Sequence, residues 1–262
     1  MLFILINIYN MYLLNIKRLA KSSGIKKQGY RPMPRLNGPE YLSDHKQIDS
    51  IVIFLHGFGA DGQDLIGLAP FFAAQLPTTA FYAPNGPQTC EISPFGRQWF
   101  SLARYDSDYL RRHTATQATA FEAMYAGAQD AAGDLQTYID HLQTKHKVSS
   151  DKIALVGFSQ GTMMALHLAF RQQTPFAGIV GFSGALVGAS HLRSDKTCTC
   201  PVLLIHGEAD EMLPIHAVDL AADGLTQAGI EVSVLKRPSL PHAIDEEGCH
   251  AGVTFLRKRF SS

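Results

Sequence analysis

The stretch Ile153-Ala154-Leu155-Val156-Gly157-Phe158-Ser159-Gln160-Gly161-Thr162-Met163-Met164-Ala165 decides how the chain is read. An apolar, strand-like run ends at Gly157, and a helix-like run begins at about Gln160. Ser159 is flanked two residues either way by Gly. This is G-x-S-x-G in the setting the pattern needs: strand, sharp turn, helix. A side chain at either Gly position would collide where strand and helix approach so closely. The turn lifts the Ser159 hydroxyl above the carboxyl edge of a sheet. The helix that follows points backbone N–H groups at any negative charge forming beside it. Short Gly/Ser patterns also arise by chance, so the reading depends on what the rest of the chain adds.

Outward from this stretch, strand and helix patterns alternate. Ile51-Val52-Ile53-Phe54-Leu55-His56 is a continuous apolar run, as a strand buried on both faces reads. Gly57 to Gly62 is a loop. Asp64 to Gln75 predicts a helix through Leu65, Leu68, Phe71 and Phe72. Thr79 to Ala83 predicts a short strand stopped by Pro84. Asn85 to Asp108 is a long segment rich in Gly, Pro and aromatics, and a loop of that length usually carries function or lacks order. Thr114 opens the longest helix, with Gln117 completing a capping box. Its stripe runs through Ala118, Phe121, Met124, Tyr125, Ala128, Ala132, Leu135, Ile139 and Leu142 to Lys145-His146-Lys147. Strands follow at Phe176–Phe182, Val202–His206 and Val232–Leu235, and helices at Pro214–Gln227 and Glu246–Phe260. The alternation predicts an α/β class: one domain, a mostly parallel sheet flanked by helices.

The 262 residues suffice for one large α/β domain. Net charge is zero but unevenly spread. Residues 1–35 hold Lys17, Arg18, Lys21, Lys26, Lys27, Arg31 and Arg35 and no acid, so the remainder is acidic. An acidic domain argues against nucleic acid as a partner, because that affinity comes from Lys and Arg neutralising phosphates. Cys90, Cys198, Cys200 and Cys249 show no C-x-x-C spacing and read as reduced thiols of a cytoplasmic protein.

Met1–Ile16 is apolar, too short for a spanning helix and interrupted by three Asn. No basic region precedes it and no cleavage site follows. Three readings stand: a membrane-surface anchor, a degenerate signal, or a stretch that is not translated, with initiation at Met33. The abrupt change of composition near Met33 favours the last. Residues 1–32 are thus an N-terminal extension and 33–262 the domain. A genuine anchor would add peripheral membrane contact and weight toward lipid substrates.

In a doubly wound sheet, functional groups gather at the carboxyl ends of strands. His56-Gly57-Phe58-Gly59 follows the first strand. Ser159 follows Ile153–Val156. His206-Gly207-Glu208-Ala209-Asp210 follows Val202–Ile205. Pro241-His242 follows Val232–Leu235. Ser, then acid, then His, at successive strand ends, is far more specific than the turn alone. A Ser hydroxyl is a poor nucleophile until a base takes its proton. Imidazoles titrate near ~6.5, so His242 suits that exchange. Asp210 would hold the imidazole tautomer. The backbone N–H groups of Phe58 and Gln160 would bind the oxyanion. Glu208 is the rival acid; His206, His216 and His250 are rival bases. His56 reads chiefly as a hydrogen-bonding residue that shapes the oxyanion loop. His206-x-Glu208-x-Asp210 lacks a helix to align it as a metal site.

These motifs, with Leu55 to Gly62, Gly157 to Gly161, Leu213-Pro214 and Pro241-His242-Ala243-Ile244, together resemble the phospholipase/carboxylesterase family. That family includes bacterial carboxylesterases and eukaryotic acyl-protein thioesterases and lysophospholipases. Arg97 to Leu102 and Pro34 to Pro39 look like its bacterial branch. The resemblance runs from about Met33 to the C-terminus. It implies an α/β-hydrolase fold, Ser159, Asp210 and His242 as triad, and Phe58 and Gln160 as oxyanion donors. It implies no metal or organic cofactor. It also implies hydrolysis of small-molecule or lipid carboxylic esters, of short to medium acyl length, with thioesters and lysophospholipids as further substrates. A homodimer is a family-level expectation. Trp99, Leu102, Leu186, Met212 and Leu213 are candidates for the acyl site, with core packing as the alternative for each. Two positions depart from the family: Pro241 stands where Gly usually precedes the catalytic His, and Met212 and Leu213 stand where smaller residues are usual. A non-catalytic binding protein on the same fold is the competing function, since fold does not dictate function.

Overall fold

In the computed structural model, residues 35–42, 47–103 and 114–261 are described. The chain divides into two units, Met1–Pro32 and Met33–Ser262. The first, with the apolar stretch at Met1–Ile16, lies outside the described residues. So does part of the long segment that begins at Asn85.

The second unit runs β1 (Glu40–Tyr41), β2 (Ser50–Leu55), α1 (Gly62–Ile66), α2 (Ala69–Ala73), β3 (Thr79–Tyr82), β4 (Gln88–Thr89), β5 (Arg97–Gln98), α3 (Thr114–Ala123) and α4 (Tyr125–His146). It continues with β6 (Ile153–Phe158), α5 (Gln160–Ala169), β7 (Gly178–Phe182), α6 (Ala189–Asp195), β8 (Val202–Gly207), α7 (His216–Gln227), β9 (Val232–Arg237) and α8 (Glu246–Phe260). Among the described residues, seven strands form one sheet in the order β1-β3-β2-β6-β7-β8-β9. All neighbours are parallel except β1, a short antiparallel edge on β3. β4 and β5 pair separately as a small antiparallel ribbon inside the long segment.

Continuous apolar strands and a two-faced core are one fact. Along β2, Ile51, Ile53 and Leu55 enter one hydrophobic cluster with Leu135, Ile139 and Met164. Val52 and Phe54 enter the other, with Phe72, Phe81 and Val253. Successive side chains of a strand point to opposite faces, so a strand covered on both faces has no polar position to spare. The chain leaves β2 to one side for β3 and returns on the other for β6. The crevice outside the carboxyl ends of β2 and β6 is therefore the topological switch point, where α/β sheets bind ligands. In register, Leu55 lies opposite Gly157, which sets the loop after β2 beside the turn at Ser159.

The helical readings need adjustment. Asp64–Gln75 is two short helices. Asp61 opens α1 with a capping box to Asp64, and α2 starts afresh with Pro70 in its first turn. Proline at that position loses no intrahelical bond. The long helix from Thr114 is interrupted at Met124, although Met124 N–H still donates to Ala120 O and Ala128 N–H to Met124 O. The capping box at Thr114 falls at the edge of the described residues: the Thr114 side chain and the residues before it lie outside them. Ala118 is exposed and does not belong to the buried stripe. β1 and α6 carry too little periodic pattern to be read from sequence. All four cysteines are free thiols.

Candidate active site

Only Ser159 lies between the end of β6 and the start of α5, and it takes φ 53°, ψ −116°. Positive φ on a residue with a side chain is strained, of order 1–3 kcal/mol. Its N–H donates to Phe182 O at 2.9 Å. The flanking glycines are required by contact. A Cβ on Gly161 would lie 1.8 Å from Leu55 O, and one on Gly157 would lie 2.4 Å from Thr162 N.

Asp210 is buried in the turn after β8. Its Oδ1 accepts the N–H groups of Met212 at 2.9 Å and Leu213 at 2.8 Å. Its Oδ2 lies 2.8 Å from His242 Nδ1 and 3.3 Å from His206 Nε2. Burial by itself pushes this carboxyl up. The polar contacts of His206, His242 and the Leu213 N–H overcome that and hold it well below the usual carboxylate range. With a carboxylate at Nδ1, the neutral His242 ring carries its hydrogen there and leaves the Nε2 lone pair free. The other acids of the loop, Glu208 and Glu211, are exposed. His216 and His250 are exposed, and His250 sits on α8 beside Glu246 and the Phe71 ring.

The loop bearing His242 is sealed to the loop bearing Asp210 through backbone. Ala209 N–H donates to Leu240 O at 3.0 Å. A Cβ on Gly207 would come within 2.1 Å of that same oxygen. Pro241 is exposed, and its carbonyl accepts the Ala243 N–H at 2.8 Å. The proline is accommodated with His242 still at hydrogen-bond distance from Asp210. The Phe158 ring packs on the His242 ring with centroids 4.8 Å apart.

His56 organises the loop after β2. Its Nε2 accepts the Gly86 N–H at 2.8 Å, so its hydrogen is on Nδ1, which donates to Gly57 O at 2.8 Å. Burial lowers its pKa and keeps the ring neutral. Gly59, at φ +84°, donates its N–H to Arg97 O, and Arg97 N–H donates to Ala60 O. Phe58 is thus fixed between two anchored residues. Among the described residues, neither the Phe58 nor the Gln160 N–H takes part in a loop or turn hydrogen bond.

A cavity of about 580 Å³ opens here, with Ser159, His242, Phe58 and Gln160 on its wall. Leu102, Met212 and Leu213 also line it. Trp99 and Leu186 do not, which corrects their reading as acyl-site residues. The Trp99 ring is fully buried, its indole N–H donating to His56 O at 3.0 Å. Leu186 packs in the core, where it would contact a Cβ on Gly224 of α7. Sequence reasoning missed Glu91, Met124, Phe158 and Met163 as wall residues. Met163 lies one helical turn after Ser159, a spacing that could have revealed it. Glu91 gave no signal: its carboxylate accepts from the Ser101 hydroxyl and the Leu102 N–H, contacts made only in the folded loop.

A family model described as Phospholipase/Carboxylesterase matches residues 37–260. The chain is similar to Esterase YpfH of Escherichia coli (strain K12), 24% identical over 216 residues, 82% of this chain and 85% of the relative. It is 31% identical to Acyl-protein thioesterase 1 of Yarrowia lipolytica over 177 residues, 66% of this chain and 74% of the relative. The crystal structure of esterase PE8 superposes with a TM-score of 0.76 at 34% identity, covering 85% of this chain and 98% of that one.

Proposed function

This chain belongs to the phospholipase/carboxylesterase family, and we propose that its hydrolysis of carboxylic esters runs through an acyl-enzyme on Ser159. His242 Nε2 takes the hydroxyl proton as Ser159 Oγ attacks the ester carbonyl. The tetrahedral oxyanion is bound by the N–H groups of Phe58 and Gln160. The imidazolium then gives its proton to the leaving alkoxide, and the alcohol departs. Water repeats the sequence on the acyl-Ser159 ester: His242 takes its proton, the acid is released and Ser159 regains its hydrogen. Asp210 keeps the hydrogen of neutral His242 on Nδ1 and stabilises the imidazolium.

One observation carries this reading: His242 Nδ1 stands 2.8 Å from a buried carboxylate, while His242 shares a cavity wall with Ser159. The apolar wall, with Phe58, Leu102, Met163, Met212 and Leu213, suits an acyl chain of short to medium length. Thioesters and lysophospholipids present the same carbonyl to the same groups, so they fall within the reading. A fluorophosphonate probe tests it. Labelling of the folded chain that Ser159→Ala abolishes is the expected result. Folded wild-type protein that does not label would favour a binding protein on the same fold. Acyl chain length and ester-versus-thioester preference follow from turnover of a graded series of each.

A further inference from the structure

His206, at the end of β8, has no role in the steps above, yet its ring touches the acid. We propose that His206 is a positioning residue for the Asp210–His242 pair, holding the Asp210 carboxylate in the one orientation that His242 meets. The inference rests on the assignment of Asp210 as the acid.

The ring of His206 is buried at 1% exposure, and its Nε2 lies 2.8 Å from Leu213 O and 3.3 Å from Asp210 Oδ2. Both neighbours only accept hydrogen bonds, so Nε2 carries the hydrogen. It gives that hydrogen to the Leu213 carbonyl on the far side of the turn, while the ring nitrogen stands 3.3 Å from the carboxylate within it. Asp210 accepts three hydrogen bonds, from the Met212 and Leu213 N–H groups on Oδ1 and from His242 on Oδ2, and the polar N–H edge of His206 packs against Oδ2 as well. Packing alone does not account for a histidine here. Its Nδ1 is buried with no hydrogen-bond partner among the described residues. An apolar side chain would fill the space without leaving that nitrogen unsatisfied.

The positive N–H edge of His206 beside Oδ2 also withdraws charge from that oxygen. Without it, the carboxylate binds the protonated His242 ring more strongly, and the base is freed only at higher pH. Among the described residues, the titratable side chains that act most on Asp210 are these two imidazoles. Glu208 and Glu211 on its own loop are exposed. Arg237, beside Gly207 on β9, is engaged by Asp245 and Glu247.

The test uses the full chain with His206→Leu, His206→Gln and Asp210→Asn, each checked for folding by circular dichroism. kcat and KM for a short acyl ester are measured across about pH 5 to 9. In H206L, kcat falls about tenfold, as for the loss of one polar contact to a charged group. KM stays within about twofold, because the ester touches neither residue. The acid limb of the kcat/KM profile moves to higher pH. Gln can return a donor near the Nε2 position, so H206Q recovers both kcat and the limb. If H206L does not fold, His206→Asn, whose shorter amide does not reach the Nε2 position, takes its place. A folded H206L or H206N with wild-type kcat and an unmoved acid limb overturns the inference, as does lowered stability with an unmoved limb. D210N separates the two levels. Full activity in D210N removes Asp210 as the acid and with it the proposed triad. Low activity in D210N beside wild-type behaviour in the His206 variants removes only the positioning role.

Discussion

Trp99 donates its backbone N–H to the Gln160 side-chain oxygen at 2.9 Å, a buried bond spanning 61 residues of sequence. The Gln160 amide nitrogen donates in turn to Phe100 O at 2.8 Å. The residue after Ser159 therefore fastens the nucleophile's helix to the aromatic segment after β5. This adds a structural duty to the backbone N–H that the oxyanion reading uses.

Gln160→Ala keeps that N–H but leaves the Trp99 N–H and the Phe100 carbonyl unpaired in the interior. Each costs about 1–3 kcal/mol. The expected outcome in urea unfolding is a loss of several kcal/mol at most, with activity of the folded fraction reduced less than in Ser159→Ala. A Gln160→Ala enzyme as inactive as Ser159→Ala but fully stable would contradict this division of roles.

Asp210→Asn replaces a carboxylate that holds the His242 tautomer with an amide that can donate to Nδ1. kcat should fall by about 10³- to 10⁴-fold. Fluorophosphonate labelling of Ser159 should slow in parallel, read from the time course on a gel. Labelling at the wild-type rate would show that the acid lies elsewhere.

kcat/KM should rise with pH to a plateau, because the free imidazole of His242 is the base and its conjugate acid cannot accept the Ser159 proton. The sign is definite: activity is lost as pH falls. A profile that peaks in acid and declines as the imidazole deprotonates would remove His242 as base.

His167, on α5, is buried with neither ring nitrogen hydrogen-bonded among the described residues. Burial, with Arg171 alongside, lowers its pKa to about 4. An unfolded imidazole titrates near ~6.5. Between those values the unfolded chain binds a proton that the folded chain does not. Stability therefore falls as pH drops through that window, by an amount on the order of 3 kcal/mol, and levels off below it. His167→Leu should remove this contribution, seen as a smaller difference between urea midpoints at about pH 7 and about pH 4.5. An unchanged difference would count against the buried neutral ring.

Glycines at the turn and in a helix should respond oppositely. Gly161→Ala drives a Cβ to 1.8 Å from the Leu55 carbonyl and should prevent correct folding of the turn. Gly133, inside α4, would place a Cβ with nothing within 4 Å. Gly133→Ala should stabilise by about 0.5–1 kcal/mol through helix propensity. Thermal melts of the two variants check the contrast.

The strand ends were legible because a strand buried on both faces must be apolar throughout, and the break in that run marks where it emerges. Residues 51–56, 153–158 and 202–207 announce themselves in this way. Helix interruptions were less legible. At Met124 the stripe continues unbroken across the one-residue interruption between α3 and α4. For Trp99 and Leu186 the choice between acyl site and core stayed open in the sequence, because a large apolar residue reads alike whether it walls a cavity or fills the core. His56 was readable as a loop-shaping residue, but its partner Gly86 was not, being 30 residues away and a backbone N–H.

The sequence by itself determined the class of fold, the family, and which side chains stand after which strands. Local periodicity and short-range turn chemistry carry that information, and both are written in neighbouring residues. Only the tertiary structure decided that Asp210 and not Glu208 meets His242, that His206 meets the same carboxylate, and that Gln160 ties Trp99 to the turn. Each of these depends on a register between strands or on the seating of one loop upon another. Such contacts are set by packing across the whole sheet, which no local pattern of residues records.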